Sequence, residues 1–393
     1  MTEATSMTAD RLLPFGSTIF AKMSALAQET QSINLSQGFP DFQGPDALIE
    51  AAIEAMHQGH NQYARSQGAL PLVEAISRHR AHFYDLHYDP LSEVRVFCGA
   101  TEGIAATLLG LLNPGDEVIC FEPYYDSYPA CIALAGAQTR FCTLRKPDFS
   151  FDVDELESCF SKQTRLLILN TPHNPTGKVF SQQELEQIAD LCQKYDVSVL
   201  SDEVYEHLVY DEAVHCPIAT LPGMRDRTIS LSSAGKIFSM TGWKVGWATG
   251  PAHLIDAAQA AHQFLTFAVA TPFQHAVAAG LHMTVDGDYV QQCQKEFTQR
   301  RDYLSSVLNQ AGFDVLMPDG TYFILADYSR FSGSDDLSFA ETLARTWGVA
   351  AIPPSVFYAK DKKAGARLLR FSFCKKMETL AAAATRLQKM ELS

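Results

Sequence analysis

Nine cysteines in a chain of 393 residues form no C-x-x-C pair, and their odd number, scattered from Cys98 to Cys374, describes neither a disulfide framework nor a zinc cage. They read as free thiols, most of them buried. No apolar run approaches the roughly 20 residues needed to span a bilayer; the longest useful one, Ile104 to Leu112, falls well short. The opening segment, MTEATSMTAD, lacks the basic and apolar regions of a secretory signal. Positive charge is in deficit. Lys plus Arg number 31 against 45 Asp plus Glu, a formal net charge of −14, which argues against a broad electrostatic footprint for nucleic acid or anionic lipid. Any anionic ligand must then be held by local donors. No fixed-period repeat, low-complexity tract or long linker is present, which argues against solenoids and tethered modules. What is there is 47% hydrophobic and 19% charged, enough for a packed core in one large or two ordinary domains. The expectation is a cytoplasmic protein with no membrane or nucleic-acid partner and no metal.

From Val94 to about Gly250, short β-rich runs alternate with helical patterns, the signature of a mostly parallel sheet covered by helices. The runs are Val94 to Cys98, Glu117 to Phe121, Leu166 to Asn170, Val197 to Ser201, Thr228 to Ser232 and Val245 to Thr249. Between them, Thr101 to Leu112 and Glu184 to Tyr195 carry helical spacing; Asn113-Pro114-Gly115 stops the first, and Ser181 with Glu184 forms a capping box before the second. After about Gly280 the character changes to a long helical pattern through Leu308, a Gly312 break, and strand-like pieces at Tyr322 to Ala326 and Leu368 to Phe373. This predicts a smaller α+β domain at 281–393 behind a large one at 46–280. Residues 1–45 hold a possible helix at Ile19 to Gln28 and then QGFPDFQGP, too rich in Gly and Pro for regular structure, which is an arm or a binding loop.

Five places could carry chemistry. In S-S-A-G-K, Lys236 leaves a predicted strand, where ligands of open α/β sheets bind; it is a desolvated nucleophile toward an aldehyde or a solvated turn lysine. In S-D-E-V-Y, Asp202 lies at the same crevice mouth with Tyr205 beyond it; they hold a protonated pyridine nitrogen and a ring oxygen, or serve as helix cap and core aromatic. In N-T-P-H-N-P-T-G, two prolines and a glycine aim Asn170 and Asn174, unless the segment is a plain turn. In C-G-A-T-E-G, small residues opening a helix offer backbone N–H groups to a phosphate, with the Glu102 carboxylate turned away. In R-F-S-F, the planar fork of Arg370 suits a carboxylate, or makes a surface salt bridge.

Taken in chain order, D-E-V-Y, N-P-T-G and S-S-A-G-K followed by M-T-G-W-K-V-G-W make the sequence resemble the class I, fold type I pyridoxal-phosphate aminotransferases, from about Asn34 to Phe373. The resemblance implies that fold: a large α/β domain with a mostly parallel seven-stranded sheet between helices, and a smaller α+β domain that includes the N-terminal arm. It implies pyridoxal 5′-phosphate as cofactor, covalently joined to Lys236, with Asp202 on its ring nitrogen, Tyr205 and Asn174 on its phenolic oxygen, and Tyr125 stacked on the ring. Phosphate ligands would be the backbone around Ala100 and Thr101, with Ser233 and Lys244. Where many relatives carry arginine, Lys244 offers a point charge. Tyr63, in N-Q-Y-A-R-S-Q-G, resembles the tyrosine that reaches the phosphate from a neighbouring subunit, implying a homodimer with shared sites. Arg370, Asn174 and the backbone of Gly38 would bind the substrate α-carboxylate.

The implied reaction is ping-pong transfer of an amino group to a 2-oxo acid, with the freed Lys236 amine moving the α-proton. The loop Gln37 to Phe42 resembles that of the methionine, kynurenine and glutamine–phenylpyruvate branch, and Phe15, Phe39 and Tyr125 would give its pocket an aromatic wall. No second arginine for a side-chain carboxylate is identifiable, so methionine or an aromatic amino acid (Phe, Tyr, His or kynurenine) is the expected donor. The rivals are a cysteine-conjugate β-lyase on the same site and, more remotely, a non-catalytic cofactor-binding regulator, which would need a DNA-binding appendage that the residues before Asn34 are too few to form.

Overall fold

A computed structural model describes residues 8–390. The apolar runs assemble into a seven-stranded sheet ordered Val94–Phe97, Gly246–Thr249, Thr228–Ser233, Ser198–Asp202, Thr164–Asn170, Glu117–Glu122, Gln138–Thr143. All its strands are parallel except Gly246–Thr249, which runs antiparallel to both neighbours. Strands Glu117–Glu122 and Thr228–Ser233 are buried along their whole length, as expected where helices cover both faces. The edge strand Gln138–Thr143 is the one that the apolar pattern does not reveal: its residues alternate between exposed and half-buried before the last two sink into the core, so it carries no continuous apolar run.

Helix Gln182–Lys194 shows how locally determined the covering layer is. Ser181 and Glu184 close the expected capping box, and Leu185, Ile188, Ala189 and Cys192 fall on one buried face. The helical pattern from Gly280 to Leu308 proves to belong to two helices, Thr271–Asp286 and Tyr289–Ala311, interrupted at Gly287. Beyond it, Asp314–Leu316, Phe323–Asp327 and Leu368–Ser372 form a three-stranded antiparallel sheet with Phe323–Asp327 in the centre. The N-terminal segment joins this part of the molecule. Ile33 and Asn34 pair in parallel with Val349 and Ala350, and Met23, Leu26, Ala27 and Leu35 share a core with Phe297, Leu308 and Phe371. QGFPDFQGP has no regular structure and spans the gap between this core and the helix Asp46–His57.

Candidate active site

The carboxyl ends of the sheet deliver the site. Asn170 and Asp202 are the last residues of adjacent strands and are paired in register, and Ser233 ends the next strand. Because the following strand, Gly246–Thr249, returns antiparallel, the excursion between them carries both Lys236 and Lys244 at the same rim. A cavity of about 260 Å³ opens there. Its lining includes every expected site residue except Phe15 and Tyr63.

Lys236 is half-buried, and its Nζ donates to the Tyr322 hydroxyl at 2.7 Å while standing over the Tyr205 ring. Burial pushes its pKa down to about 8, against the pull of Cys374 and Asp202, so about a tenth of the amine is neutral at pH 7, far more than for a solvated lysine. Asp202 is buried, and burial raises its pKa despite the Tyr128 hydroxyl at 2.6 Å and the Val204 amide at 3.3 Å. A carboxylate so placed favours a cationic partner. Tyr205 is buried with its ring edge-on to Tyr322 at 5.2 Å. Burial pushes the Tyr125 phenol up to about 12, and its ring meets Tyr128 edge-on at 5.6 Å.

The loop after Asn170 is braced by that residue, whose Nδ2 donates to the Asp202 carbonyl at 2.9 Å and whose Oδ1 accepts from the Asn174 amide at 2.8 Å. The aimed asparagine Asn174 accepts from Arg370 Nη1 at 2.8 Å through its Oδ1. Arg370 is 1% exposed and, among the described residues, makes no salt bridge and leaves its Nε without a partner; Nη2 donates to the Ser36 carbonyl, and the guanidinium lies 4.0 Å from the Phe323 ring centroid. Burial pushes its pKa down to about 10. A buried, unneutralised fork with an unused N–H is built for a carboxylate.

At the other end, Gly99, Ala100 and Thr101 open the helix Gly99–Leu111, whose first amides have no helical acceptor. Gly99 has φ +78°, and a Cβ there would stand 2.9 Å from Lys244 Nζ. A Cβ on Gly246 would strike the Ala100 amide at 2.5 Å. The two glycines therefore keep open a cradle of backbone N–H groups facing an ammonium, dimensions and chemistry that fit a phosphate. Glu102 does not line the cavity: Oε2 accepts from the Cys98 amide, and Oε1 meets His262 Nδ1 at 2.7 Å and Thr266 at 2.6 Å. Amine, carboxylate, phenols and anion cradle together fit pyridoxal 5′-phosphate.

Phe15 corrects the expected aromatic wall. Thr18 caps the helix Ile19–Glu29, so the ring brought to the cavity is Phe20 in its first turn, while Phe15 stays 38% exposed on the preceding loop. Tyr63 is 83% exposed and packs edge-on against Phe267, outside the cavity of its own chain. Tyr128, Tyr322, Phe20 and Phe323 complete the site without having been singled out; Tyr128 lies in the same E-P-Y-Y-D-S-Y segment as Tyr125, one turn on. The cofactor-side residues come from the strand ends of the large sheet and the loops and helices that follow them, whereas Phe20, Gly38, Phe39, Phe323 and Arg370 come from the N-terminal segment and the three-stranded sheet.

Interleaved with Asp202 and Tyr205, Glu203 and Glu206 do not line the cavity; Arg80 bridges them at 2.9 and 3.2 Å. Ser230 and Ser232 donate to the same carboxylates, and His79 Nε2 lies 2.7 Å from His207 Nε2. His79, Glu206 and His207 are near enough to one another to share a cation. The nitrogen separation, however, is that of a hydrogen bond, shorter than the roughly 3.3 Å kept by two imidazoles on one tetrahedral zinc.

The chain belongs to the class I and II aminotransferases, whose family model matches residues 30–387. It is a pyridoxal-phosphate enzyme of fold type I. Among its relatives, a probable N-succinyldiaminopimelate aminotransferase of Mycobacterium tuberculosis is 45% identical over 97% of this chain and 98% of its own. The methionine aminotransferase of Escherichia coli is 42% identical over 97% of both chains. A crystal structure of an E. coli protein with methionine aminotransferase function superposes with a TM-score of 0.94 at 42% identity, covering 98% of this chain and all of that one.

Proposed function

We propose that this aminotransferase takes the α-amino group from methionine or an aromatic amino acid and passes it to a 2-oxo acid, alternating between the two in ping-pong fashion. The observation that carries the reading is the lining of the cavity: among the described residues Arg370 is its sole guanidinium, and the walls around it are Phe20, Phe39, Ile104, Tyr125 and Phe323. One fork is spent on the α-carboxylate, so a side-chain carboxylate meets apolar rings, whereas a thioether or an arene is welcome.

When bound, pyridoxal 5′-phosphate supplies the electron sink that makes the α-proton acidic. Asp202 would keep the ring nitrogen protonated by its charge, with Tyr128 fixing the carboxylate. Tyr205 and Asn174 would serve the ring's oxygen, and Tyr125 would pack on the ring. Ala100, Thr101, Ser233 and Lys244 would hold the phosphate. Lys236 would carry the cofactor and, once free, its Nζ would take the α-proton and hold it for return to the far side of the same C–N–C unit. Arg370, with Asn174 and the Gly38 backbone, orients the donor so that its α-hydrogen faces that amine.

Two copies would complete each site. Exposed Tyr63, Phe264, Leu265 and Phe267 leave a large apolar surface that supports pairing, with Tyr63 reaching the partner's phosphate. We place the enzyme in the cytoplasm; its nine unpaired cysteines suit a reducing compartment. We also keep the three-part division at 1–45, 46–280 and 281–393, supported by the pairing of Ile33 and Asn34 with Val349 and Ala350.

The test is a panel of donors and acceptors with holoenzyme. Methionine and the aromatics should lead, with stoichiometric exchange of amino and oxo groups. Aspartate or N-succinyldiaminopimelate in the lead would overturn the donor assignment, and pyruvate plus ammonia formed from cysteine conjugates without an acceptor would favour the β-lyase.

A further inference from the structure

The Lys236 amine hydrogen-bonds to Tyr322, whose hydroxyl also meets the Gly38 carbonyl and stands beside the Tyr205 phenol. Tyr322 Oη lies 2.7 Å from Lys236 Nζ and 2.5 Å from the Gly38 carbonyl oxygen. A phenol has a single hydrogen, and a carbonyl can only accept; the Tyr322 proton is therefore committed to Gly38, and its oxygen must accept from Lys236. The direction of the pair is thus set by the backbone of the substrate loop. Tyr322 is buried, wedged between the rings of Tyr205, Phe297 and Phe323, so the hydroxyl has no freedom to turn to water.

We propose that Tyr322 is a positioning residue for the amino transfer: its oxygen accepts one N–H of the free Lys236 amine, aiming the nitrogen lone pair into the cavity, and accepts more strongly as that amine becomes an ammonium. This rests on the assignment of Lys236 as the proton carrier. No new bond chemistry is required. The α-proton leaves carbon for the Nζ lone pair, the electrons stay with the substrate–cofactor system, and the N–H to Tyr322 becomes charge-assisted as positive charge develops on the nitrogen. A hydrogen bond that strengthens along the step lowers its barrier, whereas one that binds both states equally does not. The tie from Tyr322 to Gly38 adds a second consequence. The same loop whose backbone meets the donor's carboxylate also fixes the lysine's acceptor, so donor and base share one reference point.

Tyr322→Phe keeps the ring and removes only the oxygen. With holoenzyme and methionine, the rate of the first half-reaction should fall about tenfold, any rise in the donor's apparent dissociation constant from the loosened Gly38 loop should be smaller than that fall, and the α-deuterium isotope effect should rise as proton transfer becomes more fully rate-limiting. Separately, in the full chain freed of cofactor, the pH dependence of Lys236 acylation by acetic anhydride, read by mass spectrometry, should move to lower pH, because the ammonium has lost its acceptor. Unchanged isotope effect, rate and acylation profile in Tyr322→Phe would overturn the inference, as would a loss confined to donor affinity. The control is Lys236→Ala. If that variant keeps its turnover, the underlying assignment fails; if it is dead while Tyr322→Phe behaves as wild type, only the role of Tyr322 fails.

Discussion

At the scale of single residues, the chemistry divides between one amine and one guanidinium. Borohydride should fix the cofactor to the wild-type chain at Lys236 and leave Lys236→Ala unlabelled, with turnover in the variant down at least about a thousandfold; a labelled or active variant would refute the assignment. Arg370→Lys keeps the charge and loses the planar fork, so KM for methionine should rise roughly 10- to 100-fold, while the absorption of bound cofactor stays unchanged. A KM within twofold of wild type would show that the carboxylate sits elsewhere. The gathering of Lys236, Asp202 and Asn174 at one cavity was readable because each ends or follows an apolar strand, and the carboxyl ends of such strands share one rim. Tyr322 and Phe20 were not readable. Each lies in a segment whose pattern is that of ordinary core, and only the folding together of residues far apart in sequence puts Tyr322 against Lys236 and Phe20 against Arg370.

At the scale of elements, the loop after Asn170 and the helix Leu70–Tyr84 do the bracing. Asn170→Ala removes a donor to the Asp202 carbonyl and an acceptor from the Asn174 amide, both buried. It should cost about 1–3 kcal/mol in denaturant unfolding and weaken cofactor retention; an unchanged midpoint would make the loop self-supporting. The helix sets His79 against His207 and Arg80 against Glu203 and Glu206, and these buried groups make stability depend on pH. Burial pushes His207 down to about 4 and His79 down to about 3, so both stay neutral in the folded chain where the unfolded chain binds protons near 6.5. As pH falls from 6.5 toward 4, the unfolded state gains protons that the folded state refuses, and stability drops by about 1.4 kcal/mol per pH unit for each. Glu206, depressed to about 2, extends the loss below 4.5. His207→Gln should flatten the slope between pH 4 and 6.5 by about one proton, whatever it does to the absolute stability; an unaltered slope would mean that the imidazole is already charged. Element boundaries were legible wherever period and punctuation agreed, as at Ser181. They were not at Gln138–Thr143, where an edge strand has no need of an apolar run, nor at Gly287, where the helical period continues in a second helix.

At the scale of the whole molecule, Tyr63 makes the prediction. If it serves the partner's phosphate, Tyr63→Ala and Lys236→Ala chains, each nearly inactive alone, should recover activity after mixing and reassociation, since a hybrid pair contains one site with both residues intact. Random pairing sets the ceiling at about a quarter of the wild-type sites. No recovery, with mixed pairs verified by mass, would put Tyr63 outside the site. The donor-facing side chains, Phe20, Phe39, Phe323 and Arg370, are carried by a different assembly of the chain from the one that grips the cofactor. The consequence is a separation of inheritance. Drift in the N-terminal segment or the three-stranded sheet can retune which amino acid is accepted and leave the vitamin-derived machinery untouched, so relatives with nearly superposable backbones are free to serve different nitrogen donors.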